Sequence, residues 1–249
     1  MTPDRLAWFA GQLPVIGHER QQALLAAKMA VVGLGRIGTT VALALHAVGV
    51  GRLVLVDPQR VEDEQLGPMW FFRQDQIGTP KVHAVAELLK HRPYGQVEAV
   101  MTNAESAVTA SRIRQSNVVL SCANTISARL ATERNAIANG LPVIQAAALD
   151  GRERLGGIVT VHRPATPDNA CYGCLVHDQD GVEAGGEGLL TTMTALVGTL
   201  AAHIATLMIS DPDADLLDQN VFIIDGGSGT IEALVVMRRP GCEICGPTE

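Results

Sequence analysis

Aromatic side chains are scarce in this chain: two Trp, two Tyr and four Phe among 249 residues. A core with so few rings has to be packed from Ala, Val, Leu and Ile. Apolar residues at 47% and charged ones at 18% describe such a globular interior and exclude a disordered chain. Basic blocks are missing too, and the net charge is −7, so a nucleic-acid partner is not expected. The opening "MTPDRLAWFAGQLPVIG" has no basic segment followed by an apolar run. No secretory leader is therefore expected, and the expected location is cytoplasmic. Cysteine is limited to five residues, which in a reducing compartment serve as ligands or catalysts more often than as disulfides. Only residues 188–210, "GLLTTMTALVGTLAAHIATLMIS", run long without a formal charge. Their length meets that of a membrane span, but threonines, glycines and a histidine keep them weakly apolar. We expect a buried helix, in the core or a subunit interface, and no membrane.

What is present alternates. "KMAVVGLG", "GRLVLVD", "QVEAVMT", "NVVLSCA" and "LPVIQAAA" read as buried strands. Helices are expected at residues 17–27, 37–48, 79–90 (with Pro80 in the first turn) and 127–138. Continuous apolar strands alternating with helices indicate an α/β fold, a Rossmann-like parallel sheet with helices on both faces. Beyond residue 155, "GIVTVHRP" and the pair "NVFIID-GGSG-TIEALVVM" look antiparallel and extend it into a mixed sheet. We read one domain over 1–249: a helical segment 1–27, a nucleotide-binding half 28–150 and a mixed-sheet half 151–249.

Two constellations carry chemistry. In "VVGLGRIGTT", Gly33, Gly35 and Gly38 have G-x-G-x-x-G spacing between a strand and a helix. Glycines there permit a tight turn and let phosphate approach the free N–H groups of the helix start. Asp57 ends the next strand, where a carboxylate meets ribose hydroxyls. The pattern says nucleotide without choosing among NAD, FAD and ATP; its bland counterpart is a tight turn beside a solvated aspartate. The second constellation is cysteine: Cys171 and Cys174 in "NACYGCLVH", Cys242 and Cys245 in "GCEICG". Two Cys-x-x-Cys pairs suit a closed, structural tetrahedral zinc; redox dithiols or unrelated thiols are the alternatives. The pairs lie far apart in sequence, so the fold must bring them together. A single membrane crossing at 188–210 would put them on opposite sides.

Taken together, these motifs resemble the ThiF/MoeB/HesA family, bacterial relatives of ubiquitin-activating enzymes. "ALLAAKMAVVGLGRIG", "GVGRLVLVDPQRVEDEQL", "IGTPKVHAVAELL", "CYGCL" and "CEICG" carry the resemblance over nearly the whole chain. It implies ATP-dependent adenylation, with Mg, of a carboxylate, releasing pyrophosphate. The substrate would be the C-terminus of a ubiquitin-like or sulfur-carrier protein, or a small carboxylic acid. It also implies a homodimer, with Gly33, Gly35 and Gly38 on the nucleotide, Asp57 on its ribose and Lys81 on the phosphates.

The departures are specific. The family's D-x-D is Asp57-Pro58-Gln59 here, Pro68 stands where a phosphate-binding arginine is usual, and Asn124 replaces an aspartate expected to hold magnesium. An N-terminal R-Y-x-R-Q is matched only by Arg5 and Trp8-Phe9-Ala10, and "DGVEAGGEG" supplies no thioester cysteine. Cys122, at a strand end, reads as a core thiol. Arg36 occupies a loop position that is normally glycine. Arg36 or Arg73 either restores positive charge to the phosphates, giving both a catalytic role beside Lys81, or Arg36 fills the pocket of a chain that no longer turns over. A weakened member serving as a binding or scaffold subunit is the alternative function. An NAD(P)-dependent oxidoreductase comes third.

Overall fold

The computed structural model describes residues 4–91, 94–149, 155–166, 168–176 and 188–246. Most of "DGVEAGGEG" lies outside these residues. The elements run α1 (Asp4–Ala7), α2 (Leu13–Ala26), β1 (Lys28–Val32), α3 (Arg36–Val48), β2 (Arg52–Val56), α4 (Lys81–Lys90) and β3 (Gln96–Val100). Then come α5 (Ala107–Ile113), β4 (Val118–Ser121), α6 (Ile126–Ala138), β5 (Val143–Leu149) and β6 (Gly156–His162). The chain closes with α7 (Tyr172–Leu175), α8 (Thr191–Ser210), β7 (Val221–Asp225) and β8 (Thr230–Leu234).

One eight-stranded sheet holds them in the order β3-β2-β1-β4-β5-β6-β7-β8. The first five strands are mutually parallel, and β6, β7 and β8 add on antiparallel. The expected mixed sheet is thus observed. Along β1 the pleat divides the apolar residues between two cores: Met29 and Val31 face one cluster with α3, α4 and α8, while Ala30 and Val32 face another with α5 and α6. That division is why the strand reads as a continuous apolar run and not as an alternating one.

Several elements differ from expectation: α4 starts at Lys81 with Pro80 as its N-cap, outside the first turn, and the short α7 was not expected. Helix α2 begins at Leu13 instead of residue 17, because a turn across Pro14 joins it; Gly17 breaks the helical backbone there at φ 78°. Helix α5 was not anticipated. It is short, and its visible start signal is Ser106, whose hydroxyl accepts from the Val108 N–H.

Helix α8 answers the question of the uncharged run. It is long and apolar enough by composition to cross a membrane. Here it packs across α3, β5, β6 and α2, and Met193, Val197, Ala201, Ile204 and Ala205 are buried. Leu196 stays exposed on the opposite side.

Candidate active site

A cleft of about 700 Å³ opens at the C-terminal ends of the parallel strands, where open α/β sheets bind ligands. Gly33 and Gly35 form part of its wall, with Asp57 from the end of β2 and Lys81 from the start of α4. The two loop glycines have different reasons. Gly33 sits at φ 89° and a Cβ on it would lie 2.7 Å from the Ala123 nitrogen, so the fold itself forbids a side chain. A Cβ on Gly35 would meet no protein atom within 4 Å. Packing therefore does not demand glycine at 35, and the backbone there is open to the cleft. No side chain caps the start of α3 at Gly35, which leaves its N-terminal dipole facing the cleft.

Gly38 is a correction. It does not line the cleft. A Cβ there would collide with the Gly33 carbonyl at 1.8 Å, so this glycine lets α3 close onto β1.

Asp57 is only 5% exposed. Its Oδ2 accepts from the Leu34 N–H at 2.6 Å and its Oδ1 from the Gln59 N–H at 2.7 Å. The carboxylate therefore braces the glycine loop from below as well as facing the cleft, and its remaining lone pairs are what a hydroxyl could use. Lys81 is 2% exposed. Its Nζ donates to Gln59 Oε1 at 2.7 Å, and among the described residues no carboxylate pairs with it. Burial holds the amine below the usual lysine range, with Asp57 and Glu62 pulling the other way. The buried amine is thus bonded to a neutral amide.

Arg36 lines the same cleft and donates from Nη1 to the Leu189 carbonyl, just ahead of α8. The start of α8 is also tied to the Pro68 carbonyl by Thr191 Oγ1 at 3.2 Å. A cavity remains with Arg36 in its wall. Asn124 and Pro68 line it as well.

Arg73 is the second correction. It lies outside the cleft, half exposed, paired with Asp75 at 3.0 Å and Glu87 at 3.7 Å. Two nearby acids on its own surface patch hold it there, and its placement gives no support to a catalytic role.

Sequence reading missed a buried network behind the β4–β5 side of the cleft. Arg129 lines the cleft at 3% exposure, donating to the Ala146 carbonyl at 2.9 Å. Glu133, one turn on, accepts from Gln145 Nε2 at 2.5 Å and from the Tyr172 N–H at 3.1 Å. Burial pushes the Glu133 carboxyl up to about 7, against those hydrogen bonds. An Arg and a Glu four apart on a helix ordinarily mark a solvated face, so the sequence held no sign that this pair was internal. Cys122 behaves as expected of a core thiol: burial pushes it up to about 12, too high for a nucleophile at neutral pH.

The four remaining cysteines converge. Cys171 Sγ lies 3.8 Å from that of Cys174 and 3.7 Å from that of Cys242, and Cys174 lies 3.4 Å from Cys245. Four thiolates about 2.3 Å from one zinc stand about 3.8 Å apart, so the cluster fits a closed tetrahedral site. The backbone beyond β8 explains the convergence: Ala170 donates to the Val236 carbonyl and Arg238 to that of Asp168. This added pairing zips one knuckle against the other. Burial, then Glu133, raises the Cys171 thiol, and a bound dication would supply the charge that thiolates need there.

Comparison with known proteins follows the same lines. The ThiF family model matches residues 9–244. Molybdopterin-synthase adenylyltransferase of Escherichia coli is 26% identical over 199 residues, covering 78% of this chain and 77% of its own. The SAMP-activating enzyme E1 of Haloferax volcanii is 27% identical over 239 residues, 93% of this chain and 84% of its own. In fold, the structure of Escherichia coli MccB with ATP superimposes with a TM-score of 0.78 at 18% identity, covering 96% of this chain and 74% of that one.

Proposed function

This chain belongs to the ThiF family, and from that premise we propose that it is an adenylyltransferase that activates a carboxylate with Mg-ATP. The carboxylate oxygen attacks the α-phosphorus, the bond to the bridging oxygen breaks, and pyrophosphate leaves. The acyl group is the C-terminus of a ubiquitin-like or sulfur-carrier protein, or a small carboxylic acid. The named activities of the relatives support this reading.

The observation that carries it is Lys81, a buried amine with no carboxylate partner among the described residues, set beside a glycine loop whose middle glycine packing does not require. Triphosphate would satisfy both. The glycine loop and the start of α3 take the phosphates, Asp57 faces the ribose, and Lys81 meets charge that grows as pyrophosphate departs. Asn124 offers an amide where a carboxylate ligand would be stronger, so metal dependence is shallow. Arg36 adds positive charge at the mouth of the loop in place of the arginine lost at Pro68. Zinc in the four-cysteine cluster is structural and has no open position. The scaffold and oxidoreductase readings gain no support from the cleft or from the relatives.

ATP–pyrophosphate exchange tests the reading. Exchange is expected only when a carrier C-terminus or a small acid of the correct class is supplied. Arg36→Gly is expected to lower both exchange and ATP affinity about tenfold, the size of one weakened charge contact. ATP that binds without exchange against any carboxylate would overturn the activity; an Arg36→Gly chain that binds ATP more tightly would show Arg36 to be an obstruction.

A homodimer completes the proposal, with part of α8 at the two-fold interface, since Leu196 on it and Leu190 just ahead of it are exposed. Light scattering at micromolar concentration should give twice the 26.3 kDa chain mass; a monomer would refute this. The proposed location is cytoplasmic.

A further inference from the structure

The loss of the second acid in Asp57-Pro58-Gln59 has a structural counterpart in the same cleft. We infer that Gln59 is a positioning residue for Lys81, holding its amine against the cleft while leaving its charge free for phosphate. This rests on the adenylation reading, in which Lys81 meets the triphosphate.

Gln59 touches Lys81 twice. Its backbone carbonyl accepts the Lys81 N–H at 3.0 Å, which fixes where α4 begins. Its side-chain Oε1 accepts from Lys81 Nζ at 2.7 Å. Its own N–H is held by Asp57 Oδ1 at 2.7 Å. One residue thus joins the ribose-facing carboxylate to the phosphate-facing amine, and a shift at either end moves the other. The side chain of Gln59 is exposed while that of Lys81 is buried, so the amide is the layer between the amine and solvent.

Chemistry explains why an amide serves here. A glutamate here, reaching as far as Gln59 Oε1 does, would make a charge-assisted pair with the amine and neutralise it before phosphate arrives. Glutamine keeps the hydrogen bond and omits the charge. The acids that face Lys81 are then Asp57 and Glu62, which pull its titration upward against burial. Neither pairs directly with Nζ. A lysine held below its ordinary range also loses anion affinity as pH rises through its own titration, earlier than a solvated lysine would. The bond that Gln59 accepts favours the protonated amine, so it defends the charge at working pH.

The test uses the full chain and two readouts. One is the pH dependence of Lys81 acetylation by acetic anhydride in nucleotide-free protein, followed by peptide mass; it needs no activity. The other is the split between kcat and KM for ATP in pyrophosphate exchange. Gln59→Ala should uncover the amine, raising its acetylation rate severalfold at fixed pH, and should lower kcat about tenfold. Gln59→Glu should move the Lys81 titration up by about one pH unit and raise KM for ATP about tenfold, because the charge is already paired. Acetylation shifts in both variants without exchange in any chain would leave the Gln59 inference standing and remove the adenylation reading. Acetylation within twofold of wild type in both variants would overturn the inference, whatever the exchange shows. Because residue 59 is exposed, both variants should keep the wild-type melting temperature, and a variant that melts early is judged on the other substitution.

Discussion

Replacing Cys242 by serine is expected to empty the metal site and to lower the thermal midpoint by about 10 °C or more. Serine offers a neutral hydroxyl where zinc needs a thiolate, and three ligands hold a structural zinc poorly. Binding to a site that exists only in the folded chain is folding energy, on the order of 10 kcal/mol for structural zinc in small peptides. A domain of this size moves its midpoint about 2–4 °C per kcal/mol, so a third of that energy already gives the stated drop. The effect should spread, because the knuckle backbone pairs with the chain beyond β8 and Tyr172 hydrogen-bonds Glu133 on α6. Cys122→Ser is the control: that sulfur is not one of the four that converge, and the metal should stay. Metal analysis and calorimetry read both. Wild-type protein with well under one zinc per chain, or a Cys242→Ser chain with its metal and midpoint intact, would refute the site.

Asp57→Ala should be nearly as severe, and for two separable reasons. The carboxylate accepts the Leu34 and Gln59 N–H groups, and a hydrogen bond to a charged acceptor is worth about 1.5–3 kcal/mol. Alanine leaves both donors without it, one of them inside the glycine loop. The ribose contact goes as well. ATP affinity should fall at least about 100-fold, which corresponds to about 2.7 kcal/mol, and the thermal midpoint of nucleotide-free protein should fall too. Asp57→Asn retains one acceptor oxygen, so it should restore part of the stability and less of the binding. Calorimetric titration with ATP separates the terms. Affinity within threefold of wild type in Asp57→Ala would mean that neither the loop brace nor the ribose contact is made as described.

The two substitutions also mark how far the residues alone could lead. That Asp57 stands beside a tight glycine loop is legible from the G-x-G-x-x-G spacing and the strand before it, because tight turns and helix starts are local chemistry. That the same carboxylate braces Leu34 depends on how β1 and β2 lie side by side, which no local pattern states. The cysteine set was legible by type and pairing, since two Cys-x-x-Cys knuckles in one chain point to a common site. How they meet was not, because the meeting is made by backbone pairing between residues 168–170 and 236–238.

Sequence by itself determined the alternation of the main strands and helices, the parallel half with its antiparallel extension, the glycine loop and the two cysteine pairs. Each follows from periodicity, from backbone freedom or from residue type, read within short stretches of the chain. Tertiary structure alone decided what the side chains do at the cleft. It sent Arg73 to a surface ion pair, turned Gly38 toward packing, set Gln59 on Lys81 and buried Arg129 with Glu133. Those outcomes depend on which distant groups desolvate a charge or offer it a partner. A long charged side chain takes whichever partner the folded chain brings within a few ångströms.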